Sequence, residues 1–173
     1  MSSPMMPTAS ALRWLPDRLR RLAPPSLTQL TLRIALAVPF LKSGLLKWDG
    51  FLSLGDTAIY LFTEEFRLHL PGGPYPFPAP AAVAFLSAAA ETALPVLLVI
   101  GLGTRLAAAA LLVMTAVIQL TVPEGWPIHL TWAAMALALV TYGPGRIALD
   151  ALLPRAVAAP RFSPELPSRP GSA

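Results

Sequence analysis

The chain has 173 residues, of which 55% are hydrophobic and only 13% are charged. An average soluble domain is about 25% charged, and a soluble domain of this length has too little interior to hide so much apolar surface. The sequence contains no cysteine, which excludes disulfides and thiolate metal sites within the chain. Composition therefore predicts one all-α membrane domain, and the net charge of +4 indicates a basic membrane flank rather than a nucleic-acid site.

Residues 1–26 precede the first apolar stretch and are basic and interrupted by prolines. Four arginines alternate with apolar residues over 11–22, a pattern that favours a short amphipathic helix at the membrane surface. No apolar core follows the first basic residues, so the segment is not predicted to be a signal peptide. We interpret it as a cytoplasmic N-terminal segment.

Four apolar stretches follow, over residues 27–46, 81–103, 106–122 and 126–143. A membrane-spanning helix needs about 20 apolar residues, with a range of about 17–25, so the last two are at the short end. The run 107–113 lacks the polar positions that a soluble bundle repeats every third or fourth residue. The sequence therefore predicts a polytopic membrane four-helix bundle over residues 27–153.

The charges between the apolar stretches predict the orientation of the bundle. Unmatched basic residues lie in the N-terminal segment, at Arg105 between the second and third stretches, and after residue 143. The loop 47–80 is acidic overall, and Glu124 is the charge in the last loop. Because basic segments stay in the cytoplasm, we predict that both termini are cytoplasmic. Residues 154–173, rich in proline, serine and arginine, are predicted to be a disordered cytoplasmic tail.

The first outer loop is predicted to contain two ordered elements. Apolar residues recur at helical spacing over residues 51–66, which predicts a short surface helix. Residues 71–80 contain five prolines and are predicted to be an extended strap that leads into the second span.

Ionisable residues inside a span are functional candidates, because burying them in hydrocarbon is costly. Arg33 lies about 9 Å, and Glu91 about 18 Å, from the cytoplasmic ends of their spans at a rise of about 1.5 Å per residue. An ion pair between them is feasible. It would either hold two spans together or form the polar floor of a quinone or substrate cavity. Lys42 and Lys47 lie nearer the outer face, where they either reach the headgroups or join a polar cluster.

Such an outer cluster would contain Gln119 at the end of the third stretch and His129 near the start of the fourth. With Lys42 and Trp126 they are predicted to line one outward-opening pocket, although a lone histidine at an interface is more often structural. The two histidines are too few for a haem or copper centre, and no metal or nucleotide motif is present. No metal or resident cofactor is therefore predicted in the chain itself.

Several short motifs occur in a fixed order along residues 27–153, and by this order the chain resembles the DoxX family of small bacterial membrane proteins. The motifs are Leu32-Arg33-Ile34-Ala35-Leu36, Ser43-Gly44-Leu45-Leu46-Lys47, Glu91, Gly101-Leu102-Gly103-Thr104-Arg105, Gln119, Trp126, His129, Trp132, Gly143-Pro144-Gly145-Arg146 and Leu149-Asp150. The members predicted to lie on the cytoplasmic side are Thr104, Arg105, Gly143, Pro144, Gly145, Arg146 and Asp150.

The resemblance implies a four-span bundle in a bacterial plasma membrane and a role in a quinone-linked or oxidative-stress oxidoreductase assembly. The candidate ligand residues are Arg33, Lys42, Lys47, Glu91, Gln119 and His129. Without a redox centre of its own, the chain is expected to be an accessory subunit of an oxidoreductase partner rather than an enzyme. Two alternatives stay open. One is a membrane scaffold in which the same residues link the helices, and the other is a small-solute permease that acts as a homo-oligomer.

Overall fold

The computed structural model describes residues 24–152, so the predictions for the basic N-terminal segment and for the tail beyond 152 lie outside the described residues. All four apolar stretches are helical. In chain order the helices are α1 (Pro25–Leu45), α2 (Asp56–Tyr60), α3 (Pro80–Ile100), α4 (Thr104–Thr121) and α5 (Trp126–Tyr142).

Proline and glycine mark the helix ends, as their backbone preferences dictate. Pro25 and Pro80 occupy the first positions of α1 and α3, where the missing N–H costs no helical hydrogen bond. Gly101 ends α3 in the left-handed region at φ 75°, and its N–H donates to the carbonyl of Leu97 at 2.9 Å.

The long helices form two antiparallel pairs, α1 with α3 and α4 with α5, which pack against each other. Their shared core contains side chains that are at most 2% exposed, namely Leu36, Phe40, Leu98, Leu111 and Leu139. We call the end of the bundle where α1 and α4 begin and α3 and α5 end the base. The base therefore brings together both ends of the described chain and the α3–α4 turn.

The opposite end of the bundle is covered by residues 46–79, which we call the cap. It contains two antiparallel hairpins, β1 (Trp48–Gly50) with β2 (Ser53–Leu54) and β3 (Arg67–Leu68) with β4 (Tyr75–Pro76). Between them, α2 continues into a π-helical turn, Leu61–Glu65. The predicted surface helix is therefore confirmed over 56–65. It is wrong over 51–54, where Leu52 adopts φ 55° in a hairpin turn.

The cap has a small core of its own against the first half of α3. Phe62, Phe77 and Ala84 are at most 8% exposed, and the ring centroids of Phe62 and Phe77 are 5.6 Å apart. His69 donates its backbone N–H to the carbonyl of Leu120 at 2.7 Å, which fastens the cap to the end of α4. The proline-rich strap thus delivers Phe77 into this core before α3 begins.

The helices α1 and α3 approach each other closely at Gly44. A Cβ atom on Gly44 would lie 2.7 Å from the backbone carbonyl carbon of Glu91 and 2.8 Å from its oxygen. Only a residue without a side chain fits between the two backbones, so Gly44 sets the spacing of this helix pair.

Replacing Gly44 by alanine is expected to destabilise the protein by about 1–2 kcal/mol, because overpacking outweighs the gain in helix propensity. Thermal unfolding in detergent measures this cost. Gly50→Ala is the matched control, since a Cβ there meets its nearest atom at 3.8 Å. An unfolding midpoint for Gly44→Ala equal to that of Gly50→Ala would contradict the close contact.

Among residues 24–152, two helices are long and apolar enough to cross a membrane, α3 and α4. The other two long helices differ from α3 and α4 in length or in charge. α5 has 17 residues, and α1 carries Arg33 and Lys42.

Candidate functional site

Arg33 lies at the base, 1% exposed, and binds backbone carbonyl oxygens near the end of α3 and in the segment after α5. The last carbonyls of a helix have no partner within that helix and carry the negative end of its dipole. A buried guanidinium with its fixed fork of donors satisfies several such oxygens at once. Its acceptors are the carbonyls of Leu98 at 2.6 Å, Val99 at 2.5 Å, Pro144 at 3.1 Å and Ile147 at 2.5 Å.

The start of α4, also at the base, is capped by Asp150. Its two carboxylate oxygens accept the backbone N–H groups of Gly103 at 2.7 Å and Thr104 at 2.9 Å. A carboxylate is favoured there because the helix N-terminus carries partial positive charge. Two predicted cytoplasmic residues, Thr104 and Asp150, are thus joined through backbone capping.

The turn after α5 needs glycine at two positions, because Gly143 and Gly145 adopt φ 79° and 84°. The turn is tied to the start of α1 through the backbone N–H of Arg146, which donates to the Ser26 hydroxyl at 3.3 Å. The Arg105 guanidinium lies over this turn, with Nε 3.2 Å from the position of a Cβ on Gly143. The residues predicted as a cytoplasmic motif therefore meet at the base, around the backbone that Arg33 holds.

Glu91 lies in the middle of α3 and is paired with Lys47. Lys47 Nζ is 2.5 Å from Glu91 Oε2, and their side chains are 13% and 5% exposed. Ser87 donates its hydroxyl to Glu91 Oε1 at 2.7 Å, and Lys47 also donates to the Ser43 hydroxyl at 2.8 Å. In this network, side chains from α1, α3 and the start of the cap provide hydrogen-bond partners for both charged groups.

The Arg33–Glu91 ion pair that the sequence allowed is not formed. Glu91 contacts Gly44, which follows Arg33 by eleven residues, or about 16 Å of helix at about 1.5 Å per residue. The two charges therefore lie at different heights of the bundle. Arg33 finds carbonyl acceptors at the base, while Lys47 is the cation next to Glu91.

A groove of about 320 Å³ opens between α4 and α5 near the cap end. Its polar end is His129, 7% exposed, whose Nδ1 is 2.8 Å from Gln119 Oε1. Gln119 in turn donates its Nε2 to the carbonyl of Pro123 at 3.0 Å. The lining residues are Leu112, Thr115, Ala116, Gln119, Trp126, His129, Leu130 and Ala133.

The structure thus brings together three of the four residues predicted to line one pocket, Gln119, Trp126 and His129. Lys42 is exposed on α1 and does not line the groove. Its exposure is consistent with an amine that reaches the membrane surface.

Sequence reasoning missed the apolar wall of this groove. Leu112, Thr115 and Ala116 precede Gln119 by seven, four and three residues, so they lie on the same face of α4. That spacing could have identified them. The contact of the His129 ring with Trp132, at a centroid distance of 5.3 Å, follows from the same helical spacing.

The chemistry available in the groove is apolar contact plus hydrogen bonding. Thr115 uses its hydroxyl within its own helix, donating to Leu111 O at 2.7 Å. Within residues 24–152, no group of three histidine, cysteine or carboxylate side chains is arranged to hold a metal. The lining can therefore contact an apolar group and hydrogen-bond a polar one.

The mostly helical fold, with two helices long and apolar enough to cross a membrane, is the one expected of a small membrane protein. The DoxX family model matches residues 28–124, more than half of the chain, and the chain belongs to that family. This confirms the resemblance carried by the ordered motifs. No curated protein and no solved structure matches the chain. The matched region includes Arg33, Glu91 and Gln119 and ends before His129.

Proposed function

We propose that α1, α3, α4 and α5 all cross the plasma membrane of a bacterium, with the base and both termini in the cytoplasm. Only 28% of the apolar window of α3 or of α4 is buried, whereas a core helix of a soluble protein is mostly buried. Arg105 and Arg146 at the base agree with this orientation. Large apolar side chains exposed along the helices support lipid contact, namely Leu86 at 66%, Leu106 at 80%, Val113 at 66% and Leu130 at 61%.

The packing of α1 and α5 supports their inclusion as spans. α5 runs antiparallel along α4 and contacts it extensively. The costly charge of α1, Arg33, is compensated by carbonyl acceptors at the base rather than exposed to lipid. Consecutive long helices run in opposite directions, so four crossings bring the chain back to the side of the membrane on which it began.

We propose further that the groove between α4 and α5 binds the ring of a lipid-soluble quinone or quinol. The observation that carries this proposal is the hydrogen-bonded His129–Gln119 pair in the lining of an otherwise largely apolar groove. Such sites combine apolar walls with few oriented polar groups. His129 would hold the polar edge of the ring and Trp126 would cover its face. A bound quinone would supply two-electron chemistry to a partner oxidoreductase, with this chain as its accessory subunit.

The scaffold alternative is favoured by a different observation. Arg33 is bound to carbonyl oxygens and Glu91 to Lys47, so these charges link helices and segments and do not face the groove. Interhelical hydrogen bonds of this kind stabilise membrane bundles. The permease alternative gains no such support, because the centre of the bundle is filled by core side chains such as Leu36, Phe40 and Leu111.

Titration of the purified full chain with menadiol, the reduced form of menadione, under anaerobic conditions and followed by tryptophan fluorescence, tests the proposal of a quinone or quinol site. We expect saturable quenching that weakens about tenfold in His129→Ala, since losing a buried hydrogen bond costs about 1–3 kcal/mol. His69→Ala is the matched control, because that ring bonds Leu120 O in the cap and lies outside the groove. Non-saturable quenching by a folded chain would exclude the quinone site and leave the scaffold.

A further inference from the structure

We propose that the groove prefers the reduced, hydroxyl-bearing form of its ring ligand over the dione. The reason is that His129 presents a hydrogen-bond acceptor, not a donor, to the bound ring. The inference rests on the proposed ring-binding function and narrows it to one chemical form of the ligand.

The acceptor character of His129 follows from a chain of three groups. The carbonyl of Pro123 can only accept, so Gln119 turns its amide nitrogen towards that oxygen, at 3.0 Å. The amide oxygen of Gln119 then faces His129 Nδ1, at 2.8 Å. An oxygen there requires a proton on Nδ1, and the uncharged imidazole is left with a lone pair on Nε2.

The Nε2 atom is available to a ligand. It has no hydrogen-bond partner among residues 24–152, and it is not one of the fully enclosed unpartnered atoms of that region. Gly125 lies beside this edge of the ring, and the lack of a side chain there leaves room next to Nε2, since a Cβ would lie 2.7 Å from that atom. A ligand hydroxyl that donates to Nε2 would complete the network.

The other polar groups of the groove do not discriminate between the two forms. A phenolic oxygen and a carbonyl oxygen both accept a hydrogen bond, so an indole N–H from Trp126 serves either. The lone pair of His129 Nε2 does discriminate, since a dione has no proton to donate. Because a dione would leave this buried lone pair without a partner, we expect a preference of about tenfold for the hydroxyl form.

Three probes with the same ring system test the preference on the full chain in detergent under anaerobic conditions, and the diol and the dione among them have the same heavy atoms. They are 1,4-dihydroxynaphthalene, 1,4-naphthoquinone and 1,4-dimethoxynaphthalene, of which only the first donates a hydrogen bond. We expect the diol to bind about tenfold more tightly than either of the others. Equal binding of all three, or tighter binding of the dione, would overturn the inference and leave the ring site itself intact.

A variant of Gln119, which orients the His129 proton, distinguishes the loss of the Nε2 acceptor from a general loss of ligand binding. In Gln119→Met the His129 ring is free to carry its proton on either nitrogen, so the preference for the diol should fall towards unity while the naphthoquinone still binds. Gln29→Met is the matched control, because that amide bonds Tyr142 O at the base. An unchanged preference in Gln119→Met would also overturn the inference.

Nitrogen-15 NMR of the histidine rings provides a measurement that needs no ligand. The chain has two histidines, so His69→Gln assigns the remaining ring signals to His129. We expect protonated Nδ1 and unprotonated Nε2, and the reverse assignment would contradict the inference directly. Failure of all three naphthalene probes to bind saturably would instead overturn the proposed ring-binding function, and the inference with it.

Discussion

Replacing Arg33 by alanine is expected to destabilise the protein by about 3–5 kcal/mol, the largest single effect in the described chain. The change removes a buried guanidinium and its four hydrogen bonds to carbonyls at the α3 end and in the segment after α5. Denaturant titration of the purified protein in mild detergent, followed by circular dichroism, measures the loss.

Two variants make the Arg33 experiment specific. Arg33→Lys keeps the charge but not the planar fork of donors, so its stability should lie between those of the wild type and Arg33→Ala. Arg146→Ala removes an exposed arginine at the same end and should cost no more than about 0.5 kcal/mol. If the Arg33 and Arg146 variants lost equal stability, the carbonyl contacts of Arg33 would contribute little.

Lys47 and Glu91 are expected to be strongly coupled in a double-mutant cycle. Lys47→Met and Glu91→Gln each leave a nearly buried polar group without its partner, so the single changes should together cost more than the double change. The coupling should be about 1–3 kcal/mol, measured by the same denaturant titration.

A second cycle, between Arg33 and Glu91, distinguishes the observed pairing from the one that the sequence also allowed. The two residues bind different partners at different heights, so their costs should add to within about 0.5 kcal/mol. Lys42→Met, at an exposed lysine near the end of α1, serves as the uncoupled control for Lys47. Strong coupling of Arg33 to Glu91, with none between Lys47 and Glu91, would contradict the structure.

The long helices were predictable because their signal is local. Runs of apolar residues bounded by proline or glycine set α3 between Pro80 and Gly101 with no knowledge of the rest of the chain. The hairpins of the cap were not predictable in this way. Their strands have two or three residues, and the apolar residues of 51–54 continue the helical spacing of the next segment. Their structure depends on contacts with α3 and α4 that spacing does not reveal.

The candidate site was predictable as a set of residues but not as a set of contacts. Depth along a helix identified Arg33 and Glu91 as unusual, yet the choice of partner depends on how far α1 is offset against α3. The close fit of Gly44 on Glu91 sets that offset and makes Lys47 the neighbouring cation. Backbone acceptors such as the carbonyl of Ile147 carry no sequence signature at all.

The long sequence separation of the Arg33 contacts has a consequence for biosynthesis. Two of the carbonyls that Arg33 binds belong to residues 111 and 114 positions further along the chain. During synthesis, α1 therefore carries the Arg33 cation before two of its carbonyl acceptors have been made. The segment after α5 supplies these acceptors when it packs against the base. Chains that end before residue 144 should therefore assemble poorly, even though they contain α1 to α5.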